Sequence, residues 1–312
     1  MAELPGAVRI REVGPRDGFQ NEPEVIPTAR KVELIDALAR TGVKRLEVTS
    51  FVRADVIPQL ADAAEVLALI DVPKDVAVSV LVPNEHGLEN ALALREGGHG
   101  GRAAFDEINV FLSASQTHNR KNVNRSIEES LAGLEVVLGR ARAEGLRCEG
   151  VISTSFGCPY EGHVPPERVL EIATRLREAG AQEIGFGDTT GMANPRQVCE
   201  LFALWKDGLP GVELTAHFHN TRGQGLANVL AALQAGIDSF ESSFGELGGC
   251  PVPAGATGNI ASEDLVSMLH EMGIETAIDL PALLACAARV REILGRPLGS
   301  HTLVAGPVDW RD

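Results

Sequence analysis

Eight short apolar, β-branched runs punctuate the 312-residue chain, and stretches with apolar residues at helical spacing separate them. The runs fall at 8–14 (VRIREVG), 45–51 (RLEVTSF), 77–82 (AVSVLV), 107–112 (EINVFL), 149–156 (EGVISTSF), 183–189 (EIGFGDT), 212–219 (VELTAHFH) and 237–244 (IDSFESSF). Helical patterns occupy 28–41, 125–144, 166–179 and 223–235. Thr41-Gly42, Glu144-Gly145, Ala179-Gly180 and Ala235-Gly236 each place a helix-ending glycine before the next run. Composition does not shift along the chain. The alternation therefore predicts a single (β/α)8 TIM barrel across 1–312 rather than two domains. The stretch 259–272 supplies the eighth helix, and an additional helix near 281–295 opens a C-terminal extension, 281–312, beyond the ring.

Charge and cysteine content narrow the partners. With 28 Lys+Arg against 43 Asp+Glu, the net charge is −15. Such a chain is a poor general binder of nucleic acid or of an anionic membrane surface. No apolar run reaches the ~18 residues that a membrane span requires. The opening MAELPGAVRI has no signal or transit pattern, so cytoplasm is the expected compartment. The cysteines are Cys148, Cys158, Cys199, Cys250 and Cys286, an odd number without a CxxC, which argues against a disulfide framework or structural zinc.

In such barrels, chemistry sits at the C-terminal ends of the strands and in the loops that follow. That filter retains Gly14–Glu22 after strand 1, Gly187–Gly191 after strand 6, Ala216–Asn220 on strand 7, and Gly248–Pro251 with Gly255–Asn259 after strand 8. His217 and His219 point to one face of their strand, roughly 6.6–7 Å apart along the backbone. Two inward imidazoles either hold a divalent metal or form a hydrogen-bonded interior pair; Leu214 and Ala216 fit the opposite, helix-facing side. Asp17 tilts this balance, because barrel closure brings strand 1 within one strand of strand 7. A carboxylate, two imidazoles and further oxygen donors suit Mg²⁺ or Mn²⁺ better than structural zinc. Arg16 beside them is placed to stabilise a developing enolate, or else forms a surface pair with Asp17 in a simple turn.

Lysines exclude one chemistry. The five are Lys31, Lys44, Lys74, Lys121 and Lys206. Two fall in helical patterns, two precede their strands at the wrong end of the barrel, and only Lys121 lies in a top-face loop. A Schiff-base aldolase needs a desolvated lysine on a strand inside the mouth. Carbon–carbon chemistry here would rest on a metal.

The motifs EVGPRDGFQNE (12–22), LEVTSFV (46–52), NVNRSIEES (122–130), GCPYEG (157–162), GDTTGMANP (187–195), HFHNTRGQGLAN (217–228) and GELGGCPVPAGATGNIASEDL (245–265) are together specific. On them the chain resembles the 3-hydroxy-3-methylglutaryl-CoA lyases, of the barrel superfamily that includes isopropylmalate synthase and metal-dependent 4-hydroxy-2-oxovalerate aldolase. The related synthases and aldolases lack the GGCP loop. The resemblance implies a metal shell of Asp17, His217, His219 and Asn259. It implies enolate stabilisation by Arg16, support from Glu47 and Asp188, and proton transfer by Cys250 on a mobile Gly-rich loop. It also implies an acyl-CoA thioester substrate, cleaved by a retro-Claisen reaction to acetyl-CoA and acetoacetate, with His217 as candidate base. CoA would lie over the top face, with its contacts unassigned. A homodimer or higher homo-oligomer stays open.

Two segments depart from the family pattern. Asn220 and Arg222 stand where an Asp and a Tyr usually follow the second histidine, and Ser115–Arg120 after strand 4 also differs. Both are expected at the acyl end of the pocket. Two alternatives remain at this stage: a sibling lyase on another 3-hydroxyacyl-CoA, such as citramalyl-CoA or a longer-branched glutaryl-CoA, and a non-catalytic metal-binding barrel.

Overall fold

The computed structural model describes residues 4–249 and 257–310. Its eight strands are β1 (Arg9–Glu12), β2 (Arg45–Ser50), β3 (Ala77–Leu81), β4 (Glu107–Ser113), β5 (Arg147–Ser153), β6 (Glu183–Asp188), β7 (Glu213–Phe218) and β8 (Ser239–Ser242). They pair in chain order, all parallel, and β1 closes on β8. The (β/α)8 barrel predicted from the alternation is the observed fold. Its helices are α1 (Thr28–Leu38), α2 (Ala63–Leu69), α3 (Glu85–Leu94), α4 (Gln116–Val123), α5 (Ile127–Ala143), α6 (Pro166–Ala179), α7 (Pro195–Gly208), α8 (Gly225–Gln234), α9 (Ser262–Glu271), α10 (Leu280–Leu294) and α11 (His301–Ala305).

Local signals explain the helix starts. Ser126 and Glu129 form a reciprocal capping box at α5, and Asn194 caps α7 ahead of Pro195. Outside the barrel, aromatic side chains fill the strand–helix layer. Phe186 stacks on Trp205 at 4.3 Å between ring centres, and Phe156 packs against Phe202, Trp205 and Phe218. Phe218 belongs to the same outward row as Leu214 and Ala216, which leaves the inward row of β7 to Thr215 and the histidines.

The inward face at the N-terminal half of the barrel is charged. Arg11 is buried among Glu107, Glu149, Glu183 and Glu241, and Arg45 pairs with Glu107 and Glu183. A buried charge left without its partner costs about 3–5 kcal/mol, so removing Arg11 from this network would be strongly destabilising.

Several boundaries differ from the sequence reading at the catalytic end. The first strand stops at Glu12, and Gly14–Gly18 forms a wide π-helical turn instead of extending the strand. The eighth helix begins at Ser262 instead of 259, because Asn259 and Ala261 form bridges to His219 and Ser243. Lys121 sits on α4 and not in a loop.

Candidate active site

The turn after β1 delivers Arg16 and Asp17. Gly14 is fixed at its start by close approach: a Cβ there would lie 2.4 Å from Phe244 Cδ1 and 2.7 Å from Glu12 Oε1. Asp17 Oδ1 accepts hydrogen bonds from Arg16 Nη1 at 2.8 Å and Gln20 Nε2 at 3.0 Å. Its Oδ2 accepts from Asn259 Nδ2 at 2.8 Å. Asp17, His217 and His219 each offer a ligand atom within 4.8 Å of the others. His219 Nε2 and His217 Nε2 lie 3.0 Å apart. The structure therefore gathers the three residues that barrel closure predicted.

Asn259 completes this corner. Its amide nitrogen is engaged by Asp17 and by the carbonyl of Leu247, while its Oδ1 is buried and has no hydrogen-bond partner. A buried orphan oxygen beside one carboxylate and two imidazoles is the donor set that a small divalent cation prefers. Gly248 frames the corner from below. Its φ is +113°, and a Cβ there would fall 2.7 Å from Asn259 Nδ2.

Electrostatics separate the two histidines. Burial works against charging His217, but the Glu241 carboxylate at 2.8 Å from Nδ1 raises its pKa above the ordinary histidine value. Burial and the neighbouring His217 push His219 down to about 3, so that ring is neutral. Burial would raise the Asp17 carboxyl, yet Arg16, His217 and the Asn259 amide hold it below its usual range. It is an anion.

Arg16 Nη2 lies 2.7 Å from Glu47 Oε2, and Asn109 donates to the other oxygen of Glu47. A bulge in the β2–β3 pairing after Glu47 sets this carboxylate toward the mouth. Asp188 does different work. Its Oδ1 accepts the backbone N–H groups of Met192 at 2.7 Å and Ala193 at 3.0 Å, which shapes the loop after β6. Burial pushes its carboxyl up to about 7. Cys250 lies outside the described residues. Its neighbour Gly249 reaches the rim of the same cavity.

That cavity, about 400 Å³, opens at the C-terminal ends of the strands. Arg16, Asp17, His217 and His219 line one side, and Leu81, Phe111 and Val151 give the other an apolar wall. His118 and Lys121 of α4 stand at its rim beside Tyr160, with the Lys121 ammonium 5.0 Å from the Tyr160 ring centre.

Three sequence readings change here. Arg222 does not border the pocket: it turns away and donates to the carbonyls of Thr190 at 2.9 Å and Gly191 at 2.7 Å. Asn220 likewise binds backbone, accepting from Gly225 N. Of the departing segments, only the one after β4 reaches the cavity, through His118. Second, both ring nitrogens of His217 have partners, Glu241 and His219, which favours a ligand's role over a base's. Third, Glu241 and Asn109 were missed. A strand-8 pattern of SFES, with its glutamate at the register position of His217, held the signal for Glu241.

The cysteines Cys148, Cys158, Cys199 and Cys286 are free thiols. Among the described residues no helix is long and apolar enough to cross a membrane.

Comparison with known proteins identifies the family and supports the fold. Residues 7–290 match the model of the HMGL-like family. A hydroxymethylglutaryl-CoA lyase of Bacillus subtilis is 47% identical over 299 residues, covering 96% of this chain and 97% of that protein. The crystal structure of Bacillus subtilis HMG-CoA lyase superposes with a TM-score of 0.92 at 46% identity, over 96% of this chain and 98% of that one. An HMG-CoA lyase from Acinetobacter baumannii, in complex with coenzyme A and 3-methylmalate, gives a TM-score of 0.91 at 38% identity, covering 100% of this chain and 99% of that one.

Proposed function

The chain belongs to the HMGL-like family of carbon–carbon lyases, and from that premise we propose that it cleaves 3-hydroxy-3-methylglutaryl-CoA to acetyl-CoA and acetoacetate. The observation that carries the reading is the convergence of Asp17, His217 and His219 in one cavity with the orphan oxygen of Asn259. These four residues would hold one divalent cation, Mg²⁺ or Mn²⁺. When bound, it would polarise the substrate's oxygens and acidify its tertiary hydroxyl.

The chain's own side chains account for the rest. The hydroxyl proton passes to solvent at the open mouth of the cavity, from which the Cys250 thiol is later reprotonated, and the oxygen re-forms a carbonyl as the C2–C3 bond breaks. One fragment leaves as acetoacetate, and the electron pair of the broken bond moves into the enolate of acetyl-CoA. Arg16, fixed between two carboxylates, offers its guanidinium N–H groups to the enolate oxygen. Glu47 aims that guanidinium, and Asp188 holds the β6 loop behind His217. Cys250 on the Gly-rich loop returns a proton to the enolate carbon, completing acetyl-CoA. The apolar wall excludes water from this intermediate. A 400 Å³ cavity suits the acyl and thioester part of the substrate, leaving the nucleotide over the top face. The relative crystallised in complex with coenzyme A supports an acyl-CoA substrate. Cytoplasmic residence is part of the same proposal.

A panel of 3-hydroxyacyl-CoA esters, with thioester products read by mass spectrometry, tests the substrate. The reading expects the 3-methylglutaryl ester to have the highest kcat/KM. A citramalyl or longer-branched ester that outruns it would transfer the assignment to a sibling lyase.

A further inference from the structure

A chain of hydrogen bonds runs from the charged barrel interior to the metal corner. Arg11, 2% exposed, donates from Nη1 to Glu241 Oε1 at 2.8 Å. The other oxygen of Glu241 meets His217 Nδ1 at 2.8 Å. His217 Nε2 then faces His219 and the Asp17 side of the cavity. Strand register makes this possible, since His217 and Glu241 are paired positions on β7 and β8, and Glu241 also pairs with Arg11 across β1 and β8.

We propose that Glu241, clamped by Arg11, is a positioning residue that fixes the tautomer of His217, keeping the ring proton on Nδ1 and the Nε2 lone pair free for the cation. The assignment rests on the metal centre proposed above. A guanidinium only donates, so the oxygen facing Arg11 must accept. A carboxylate only accepts, so the ring nitrogen facing it must carry hydrogen. With Nδ1 donating to Glu241, the neutral ring that a cation requires leaves Nε2 unprotonated. Carboxylates behind ligating histidines set ring orientation and basicity in this way, and their loss costs about 10–100-fold in metal affinity. Glu149 is the natural comparison. It is equally buried and binds Arg11, but it does not touch a histidine.

The substitution Glu241→Gln reads the polarity directly. Arg11 forces the glutamine carbonyl toward itself, which turns the amide NH₂ toward His217 Nδ1. That nitrogen must then accept, and the proton moves to Nε2, where it blocks the cation. Mn²⁺ binding to the metal-free protein, followed by electron paramagnetic resonance without substrate, should weaken by at least about tenfold in Glu241→Gln. In Glu149→Gln it should stay near wild type. Unchanged Mn²⁺ affinity in Glu241→Gln, or an equal loss in Glu149→Gln, overturns the assignment. Should Glu241→Gln fail to fold, ¹⁵N-histidine spectra of the Mg²⁺-loaded wild-type protein decide. They should show His217 protonated at Nδ1, and protonation at Nε2 would overturn the proposal. A wild-type protein that binds no Mn²⁺ would remove the metal centre and this role together, whereas the other outcomes bear on Glu241 alone.

Discussion

Arg16 and Glu47 meet at 2.7 Å, Nη2 to Oε2, joining the turn after the first strand to the middle of the second. Glu47 is fully buried and Arg16 largely so, and Asp17 accepts from the other terminal nitrogen of the same guanidinium, Nη1, at 2.8 Å. Two carboxylates therefore fix one planar fork at the cavity wall before substrate arrives. Preorganised donors of this kind act where charge develops and need no rearrangement during the reaction.

Arg16→Lys keeps the charge and loses the fork. Its kcat should fall by orders of magnitude while KM changes little, because the enolate oxygen exists only along the reaction path. Steady-state kinetics on the acyl-CoA substrate measure this. A raised KM at unchanged kcat would make Arg16 a substrate-binding residue instead.

The segments that depart from the family pattern should now behave differently from each other. His118 lines the cavity, so His118→Ala should shift relative kcat/KM across the acyl-CoA panel. Arg222 holds the backbone of the β6 loop, so Arg222→Tyr should lower the melting temperature and leave the order of substrates unchanged. Opposite behaviour of the two variants would restore the second segment as the specificity determinant.

Cysteine alkylation isolates the Gly-rich loop. Cys158 is buried, its thiol donating to Ser115 Oγ at 3.0 Å, whereas Cys199 on α7 is exposed and will react without consequence. In a Cys199→Ser background, a thiol reagent should still inactivate the protein, and CoA should protect it. Cys250→Ser should retain Mn²⁺ binding and lose most turnover. Full turnover in Cys250→Ser would assign proton delivery to another group.

How much of this was legible in the sequence follows from periodicity. Alternating runs and helix stops gave the barrel, and barrel closure alone brought Asp17 toward His217 and His219. The charged interior was not legible, because Arg11, Glu149 and Glu183 alternate along their strands as solvent-facing residues would. Only closure turns that row inward. Glu241 is visible as a glutamate inside the strand-8 run, but its pairing with His217 emerges only from the register of β7 and β8. Arg222 was misplaced because its position in chain, three residues beyond His219, says nothing about a side chain that folds back onto carbonyl oxygens.

The base of the Gly-rich loop carries a pH dependence of its own. Glu263 accepts the Gly245 N–H with both oxygens at 3.0 Å, and burial pushes its carboxyl up to about 8 from 4.5. Between those values the folded protein holds a proton that the unfolded chain has released, so stability falls as pH rises through that window. Glu263→Gln removes the titration and keeps an acceptor. Melting temperatures from pH 5 to 8 should fall less in the variant than in wild type. Parallel curves would show that Glu263 is ionised throughout.

The central claim joins one metal to one bond cleavage. Protein stripped with a chelator and supplied with 3-hydroxy-3-methylglutaryl-CoA should form no acetyl-CoA. Addition of Mg²⁺ or Mn²⁺ should restore formation of acetyl-CoA and acetoacetate in equal amounts, as read by mass spectrometry. Undiminished cleavage by the stripped protein, or metal-restored protein that leaves this substrate intact, would contradict the account.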